Sequence, residues 1–207
     1  MPKTKNQNAI IKSKRRNEII RCTTYIFATT EYNNVTIDGI ANEIGCSHGL
    51  FYHYFKNKEE IFGAVLENSI IAIKEIINFD EVNGAGGAKG LIIVLNQLFH
   101  VLKNGTDYEN AIFYLFMNLR LQATMFDKNN VYLKECLRAS DKLNSLIKIA
   151  HMEKELRCDP MEVTVCLFAM LKGLFYNRLY VGQNLFICPK LETVLSLLGI
   201  ENESEAK

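Results

Sequence analysis

The sequence has no tryptophan, only three prolines, and no apolar run long enough to cross a bilayer. Its most apolar candidate, Val163 to Leu171, is stopped by Lys172, short of the roughly 18 residues a spanning helix needs. With so few prolines there are few obligatory helix stops, and a hydrophobic content of 48% then suits a continuous helical protein. Net charge is also small, +1 in all, so bulk charge says nothing about a polyanionic partner. The six cysteines (22, 46, 136, 158, 166 and 188) include no C-x-x-C pair. They are expected to be reduced and packed, with a thiol sensor as the alternative reading. The first residues are basic and polar without an apolar stretch, so no secretory signal is expected and the cytoplasm is the expected compartment.

Catalytic patterns are missing too. The four histidines (48, 53, 100 and 151) are scattered, His151-x-Glu153 is not an H-E-x-x-H, and there is no G-x-S-x-G. No enzymatic activity, metal site or cofactor is expected. Asn83 to Gly90, NGAGGAKG, fails as a phosphate cradle. Lys89 stands where a third glycine belongs, no Gly-Lys-Ser/Thr comes after it, and no strand precedes it. A flexible connector between helices is expected there.

Charge is scarce in sum but uneven in place. Residues 1–58 hold nine Lys/Arg against four Asp/Glu, net +5, while residues 59–207 hold fifteen against nineteen, net −4. A basic head on an acidic body fits a protein of which only one end meets a polyanion. Within residues 1–16 lie Lys3, Lys5, Lys12, Lys14, Arg15 and Arg16. A mobile solvated arm is one reading. Added phosphate or minor-groove contact is the other, and the helical motif at residues 36–60 favours it. A helix is expected from about 13 to 30, with Ile19, Cys22, Ile26 and Phe27 inward.

The organising stretch is Thr36 to Glu60, TIDGIANEIGCSHGLFYHYFKNKEE. Ile37, Ile40, Ala41 and Ile44 form one apolar stripe of a short helix, with Thr36 as N-cap and Gly45 as left-handed stop. Ser47 caps a second helix on which Phe51 and Phe55 share a face, while His48, Gly49, Tyr52, His53 and Tyr54 supply polar or open surface. This is helix, tight turn, helix: the pattern of a DNA reader. Tyr and His side chains can touch base edges or phosphate oxygens. A third helix begins at Asn57, where Glu60 completes a capping box and Lys56 and Lys58 place positive charge beside a helix N-terminus.

These residues resemble the DNA-binding segment of TetR-family transcriptional regulators. The shared pattern is Thr36, Ile40-Ala41, Gly45, Ser47-His48-Gly49, the aromatic run Phe51 to Phe55, and Lys58, over about a quarter of the chain. Cys46 departs from the usual Val or Ala but keeps the size of a small hydrophobe. The resemblance implies an all-α protein with a three-helix DNA-binding head (1–58) and a helical effector-binding and dimerisation body (59–207). It implies a homodimer on a palindromic double-stranded operator, most simply a repressor released by a small apolar or aromatic effector. A DNA organiser without a small-molecule ligand is the alternative.

The helix from Asn57 is expected to reach about Asn78, burying Ile61, Val65, Ile73 and Ile76, so that it belongs to head and body alike. Five more are expected at about 91–102, 107–126, 129–157, 160–181 and 189–199. Phe99, Phe113, Phe116, Met117, Met125, Phe126 and Phe168 are candidate effector-pocket residues, with ordinary bundle core as the competing reading. The 160–181 helix places Cys166, Ala169, Met170, Gly173, Leu174 and Asn177 on one broad face. That face is either core or, as the resemblance implies, a seam across a two-fold axis.

Overall fold

The computed structural model describes residues 5–77, 79–122 and 131–200. The helices are α1 (Lys5–Thr29), α2 (Ile37–Ile44), α3 (His48–Tyr54), α4 (Lys58–Ile76) and α5 (Phe79–Ala85). They continue with α6 (Gly87–Asn104), α7 (Asp107–Gln122), α8 (Val131–Met152), α9 (Pro160–Val181) and α10 (Leu191–Leu197), and a 3-10 turn spans Tyr32–Asn34. Among the described residues there is no strand, only an isolated bridge between Leu156 and Ile200. The protein is all-α. It divides into two compact units, Met1–Ser69 and Ile70–Lys207, and α4 contributes residues to both.

In the first unit α1 buries Ile19, Ile20, Thr23, Thr24, Phe27 and Ala28. The two threonines are tolerated inside because Thr23 Oγ1 donates to the Ile19 carbonyl at 2.7 Å and Thr24 Oγ1 to that of Ile20 at 2.8 Å. The buried stripe runs through these threonines and leaves Cys22 exposed, contrary to the sequence expectation. A second difference lies upstream. The basic arm is helical from Lys5, because no Pro or Gly lies between residues 5 and 18 to stop a helix nucleated by the buried turns behind it. Phe27, Phe62 and Tyr32 form an aromatic cluster, with ring centroids 4.7 Å apart for Phe27–Phe62 and 4.9 Å for Tyr32–Phe62.

In the second unit α6 packs chiefly on α8, and α7 on α9. The glycine-rich stretch is helical, not a loose connector: α5 ends at Ala85, the chain breaks only at Gly86, and α6 starts at Gly87. Two contacts explain it. The Glu155 carboxylate accepts the Ala88 N–H at 3.1 Å, capping α6 from beyond the end of α8. At Gly90 a Cβ would lie 2.9 Å from Leu146 Cδ2 and 3.1 Å from the Val82 carbonyl oxygen, so glycine there serves close packing. Arg178 of α9 is 1% exposed. It donates to Asp107 Oδ1 at 3.0 Å and to the Gly105 carbonyl at 3.1 Å, pinning the α6–α7 turn. The expected breaks at Asp159-Pro160 and before α10 are present; Asp159 Oδ1 caps α9 by accepting from Met161 and Glu162 N–H.

Two glycines give opposite predictions. Gly90→Ala should destabilise the protein by about 1–3 kcal/mol through overpacking. Gly63→Ala, where a Cβ meets nothing within 4 Å, should stabilise it by about 0.4–1 kcal/mol. Denaturant midpoints at constant m-value check both.

Candidate nucleic-acid interface and body cavity

The first unit presents a helix-turn-helix assembled from its caps upward. Thr36 Oγ1 accepts the Gly39 N–H at 3.0 Å and starts α2. Gly45, at φ 66° and ψ 39°, ends it in the left-handed region that L side chains rarely adopt. The Cys46 N–H returns to the Ala41 carbonyl at 2.9 Å. Ser47 Oγ then accepts the Leu50 N–H at 3.2 Å and starts α3. Phe51 and Phe55 are buried, 0% and 1% exposed, so the opposite surface of α3 is fixed. That surface carries His48, Gly49, Tyr52 and His53, all exposed, with Tyr54 half-buried at its end. Thr36, Ser47 and Lys56 are exposed as well. Tyr52 packs edge-on to the His48 ring with centroids 6.0 Å apart.

Lys58, expected to contact phosphate, also has partners within the protein. Its Nζ donates to the backbone carbonyls of Tyr32 and Val35, each at 3.0 Å, and lies 4.4 Å from the centre of the Tyr32 ring. Two of its three donors therefore hold the turn before α2 against the start of α4. The capping box at α4 is made one residue wider than expected. Asn57 Oδ1 accepts the Glu60 N–H at 2.8 Å, and the Glu60 carboxylate accepts from Lys56 N–H at 2.7 Å. Arg15 pairs with Glu18 at 2.9 Å and Arg16 sits 5.0 Å above the Phe55 ring, so these two cations also serve the fold.

Sequence reasoning missed Asp38. It stands in the first turn of α2, where it reads as an ordinary helix-dipole partner, yet its Oδ1 contacts Nε2 of His48. No spacing rule links residues ten apart on two helices; only the angle set by the Gly45 turn brings them together.

The second unit holds an apolar cavity of about 50 Å³. Phe113, Phe116, Met117 and Phe168 line it with Ile73, Val94, Leu143 and Leu146, and Ser140 and Lys142 are its polar residues. Phe99 is buried but is not a lining residue; it belongs to the core. Met125 and Phe126 lie outside the described residues. On α9, Cys166, Ala169, Gly173 and Asn177 are exposed, with Met170 and Leu174 half-buried. Val165, Tyr176 and Tyr180 extend this exposed strip. Among the described residues no group of three or more His, Cys, Asp or Glu could hold a metal, and no helix is long and apolar enough to cross a membrane.

Residues 19–65 match the family model for bacterial regulatory proteins of the tetR family. No curated protein matches the chain. Among solved structures, AibR in complex with isovaleryl coenzyme A and operator DNA is similar, with a TM-score of 0.61 and 16% identity over 78% of this chain and 86% of that one. So is a Rhodococcus sp. protein provisionally assigned as a TetR-family transcriptional regulator, with a TM-score of 0.57, 18% identity, and 89% and 95% of the two chains covered. A Clostridium perfringens protein, provisionally assigned as a fatty acid metabolism regulator, has a TM-score of 0.53 and 23% identity over 89% and 99%. At these identities the likeness speaks of the fold.

Two measurements test the geometry of the head. Lys58→Met keeps the stem but takes a donor from two carbonyls, of which Tyr32 keeps the Val35 N–H at 3.2 Å, and should cost about 1–3 kcal/mol of stability. Unchanged stability with a DNA salt slope smaller by about 1 would return Lys58 to the phosphate role. The second concerns Tyr32, whose phenol is pushed up to about 12, first by burial and then by the Glu59 carboxylate that accepts its proton at 3.2 Å. An unfolded tyrosine ionises near 10. Between about pH 10 and 12 the unfolded state thus holds fewer protons, and folding stability falls as pH rises. Tyr32→Phe should shallow that alkaline decline; an identical decline would show that Tyr32 does not cause it.

Proposed function

We propose that the chain, whose residues 19–65 match the family model for bacterial regulatory proteins of the tetR family, is a DNA-binding repressor acting as a homodimer on a palindromic operator. The observation that carries the DNA half is the outward surface of α3, open at His48, Gly49, Tyr52 and His53 while Phe51 and Phe55 anchor the helix beneath. The division proposed is a head over residues 1–58 and a body over 59–207. Thr36, Ser47, Tyr54 and Lys56 are assigned to backbone contacts, and His48 and Gly49 to base edges. Lys58 keeps at most one donor for DNA.

The homodimer is assigned to the exposed strip of α9 around Cys166, Ala169 and Gly173, whose small residues permit another helix to approach closely. Isologous pairing there would give two recognition helices related by a two-fold axis. The effector is assigned to the cavity bounded by Phe113, Phe116, Met117 and Phe168. In support, AibR has been captured with both an acyl-coenzyme A and operator DNA. An engineered apolar cavity of about 150 Å³ is dry and accepts benzene. At about 50 Å³ this one must widen to admit anything of that size. Widening is what gives an effector different affinities for two arrangements of the body, without which it could not shift DNA binding.

Gly173→Arg separates assembly from folding. A Cβ at 173 meets nothing within 4 Å in the protomer, so the variant should fold normally. It should sediment as a monomer and lose most sequence-specific DNA affinity. A folded dimer with normal affinity would remove the α9 strip from the interface.

A further inference from the structure

The contact between Asp38 and His48 does not follow from a helix-turn-helix pattern, and its chemistry constrains what the head can read. His48 is the first residue of α3, Asp38 lies in the first turn of α2, and both side chains are largely open, 51% and 73% exposed. Oδ1 of Asp38 lies against Nε2 of His48, and the imidazole is held from another side by the edge of Tyr52. These contacts orient the ring at the end of α3 whose residues meet base edges in such motifs.

We propose that Asp38 is a specificity-determining positioning residue, which sets the hydrogen-bonding polarity of His48 so that the pair reads one base-pair position as a unit. This rests on the DNA-binding reading above. A carboxylate can only accept, so the nitrogen facing it carries the proton. In that tautomer Nδ1 is a bare acceptor. In the major groove only the N6 amino group of adenine and the N4 amino group of cytosine can donate to it. A histidine without this carboxylate exchanges between tautomers and can meet donor or acceptor with either nitrogen. Asp38 thus removes a choice. The pair favours A or C at its position in each half-site and rejects G and T on that strand. Asp38 itself, with its charge directed to the imidazole, acts on discrimination and not on the phosphate backbone.

The test uses the full chain and duplex DNA selected by it from a randomised pool, together with every single-base-pair variant of the best duplex. His48→Ala should lose roughly tenfold discrimination at one position per half-site. Asp38→Asn can donate as well as accept, so it should lose a similar factor at that position alone, with an unchanged salt slope. On the His48→Ala background the same change should have no further effect. Nitrogen-15 spectra of the free protein should place the imidazole proton on Nε2 in the natural protein, and on both nitrogens in exchange in Asp38→Asn. Uniformly tighter binding of all duplexes by Asp38→Asn would make Asp38 a mere repulsive charge and overturn the proposal. Unchanged discrimination or an unchanged tautomer would overturn it equally. Failure of the natural protein to prefer any duplex would instead sink the DNA-binding reading beneath it.

Discussion

A helix of seven residues cannot stand alone in water, because nucleation fixes several residues before hydrogen bonds repay the entropy. α3 exists because Phe51 and Phe55 are inserted in the core of the first unit, and everything on its outer surface inherits its position from those two rings. The Ser47 cap fixes its start, and the Lys58 ammonium ties the turn before α2 to the start of α4. The chemistry of the outer surface is thereby separated from the stability of the fold: Tyr52 and His53 can vary without disturbing the anchor, whereas neither phenylalanine can.

The head was largely legible because its signals are local. Thr36, Gly45, Ser47 and Asn57 each act within four residues, so spacing alone predicts their roles, and the structure places all four as caps or stops. What escaped was set by distant partners. NGAGGAKG reads as a flexible connector by composition, but Glu155 and Leu146, more than fifty residues on, make it the start of a packed helix. Cys22 and Lys58 also have settings that spacing did not give. One lost its inner place to a pair of self-satisfied threonines, and the other found backbone carbonyls twenty-odd residues earlier. In the body, periodicity predicted α9 to the residue, yet could not separate Phe99 in the core from Phe113 at the cavity wall, since both lie on apolar faces of long helices.

Arg178 shows how the body handles a buried charge. Its guanidinium is almost wholly enclosed, yet its partner Asp107 keeps 71% of its side chain in water. The ion pair is thus half-hydrated, which limits the desolvation cost that makes fully buried pairs weak stabilisers. Its position between α9 and the turn at Gly105 ties the helix that offers the exposed small-residue strip to the helices that line the cavity.

The narrowness of that cavity also bears on affinity. A guest larger than about 50 Å³ fits only when aromatic and branched side chains move apart. Were the proposed effector to bind there, its apparent affinity would be lowered by the fraction of molecules in which they have done so. Slack in the packing around the cavity would then set how tightly the effector is held.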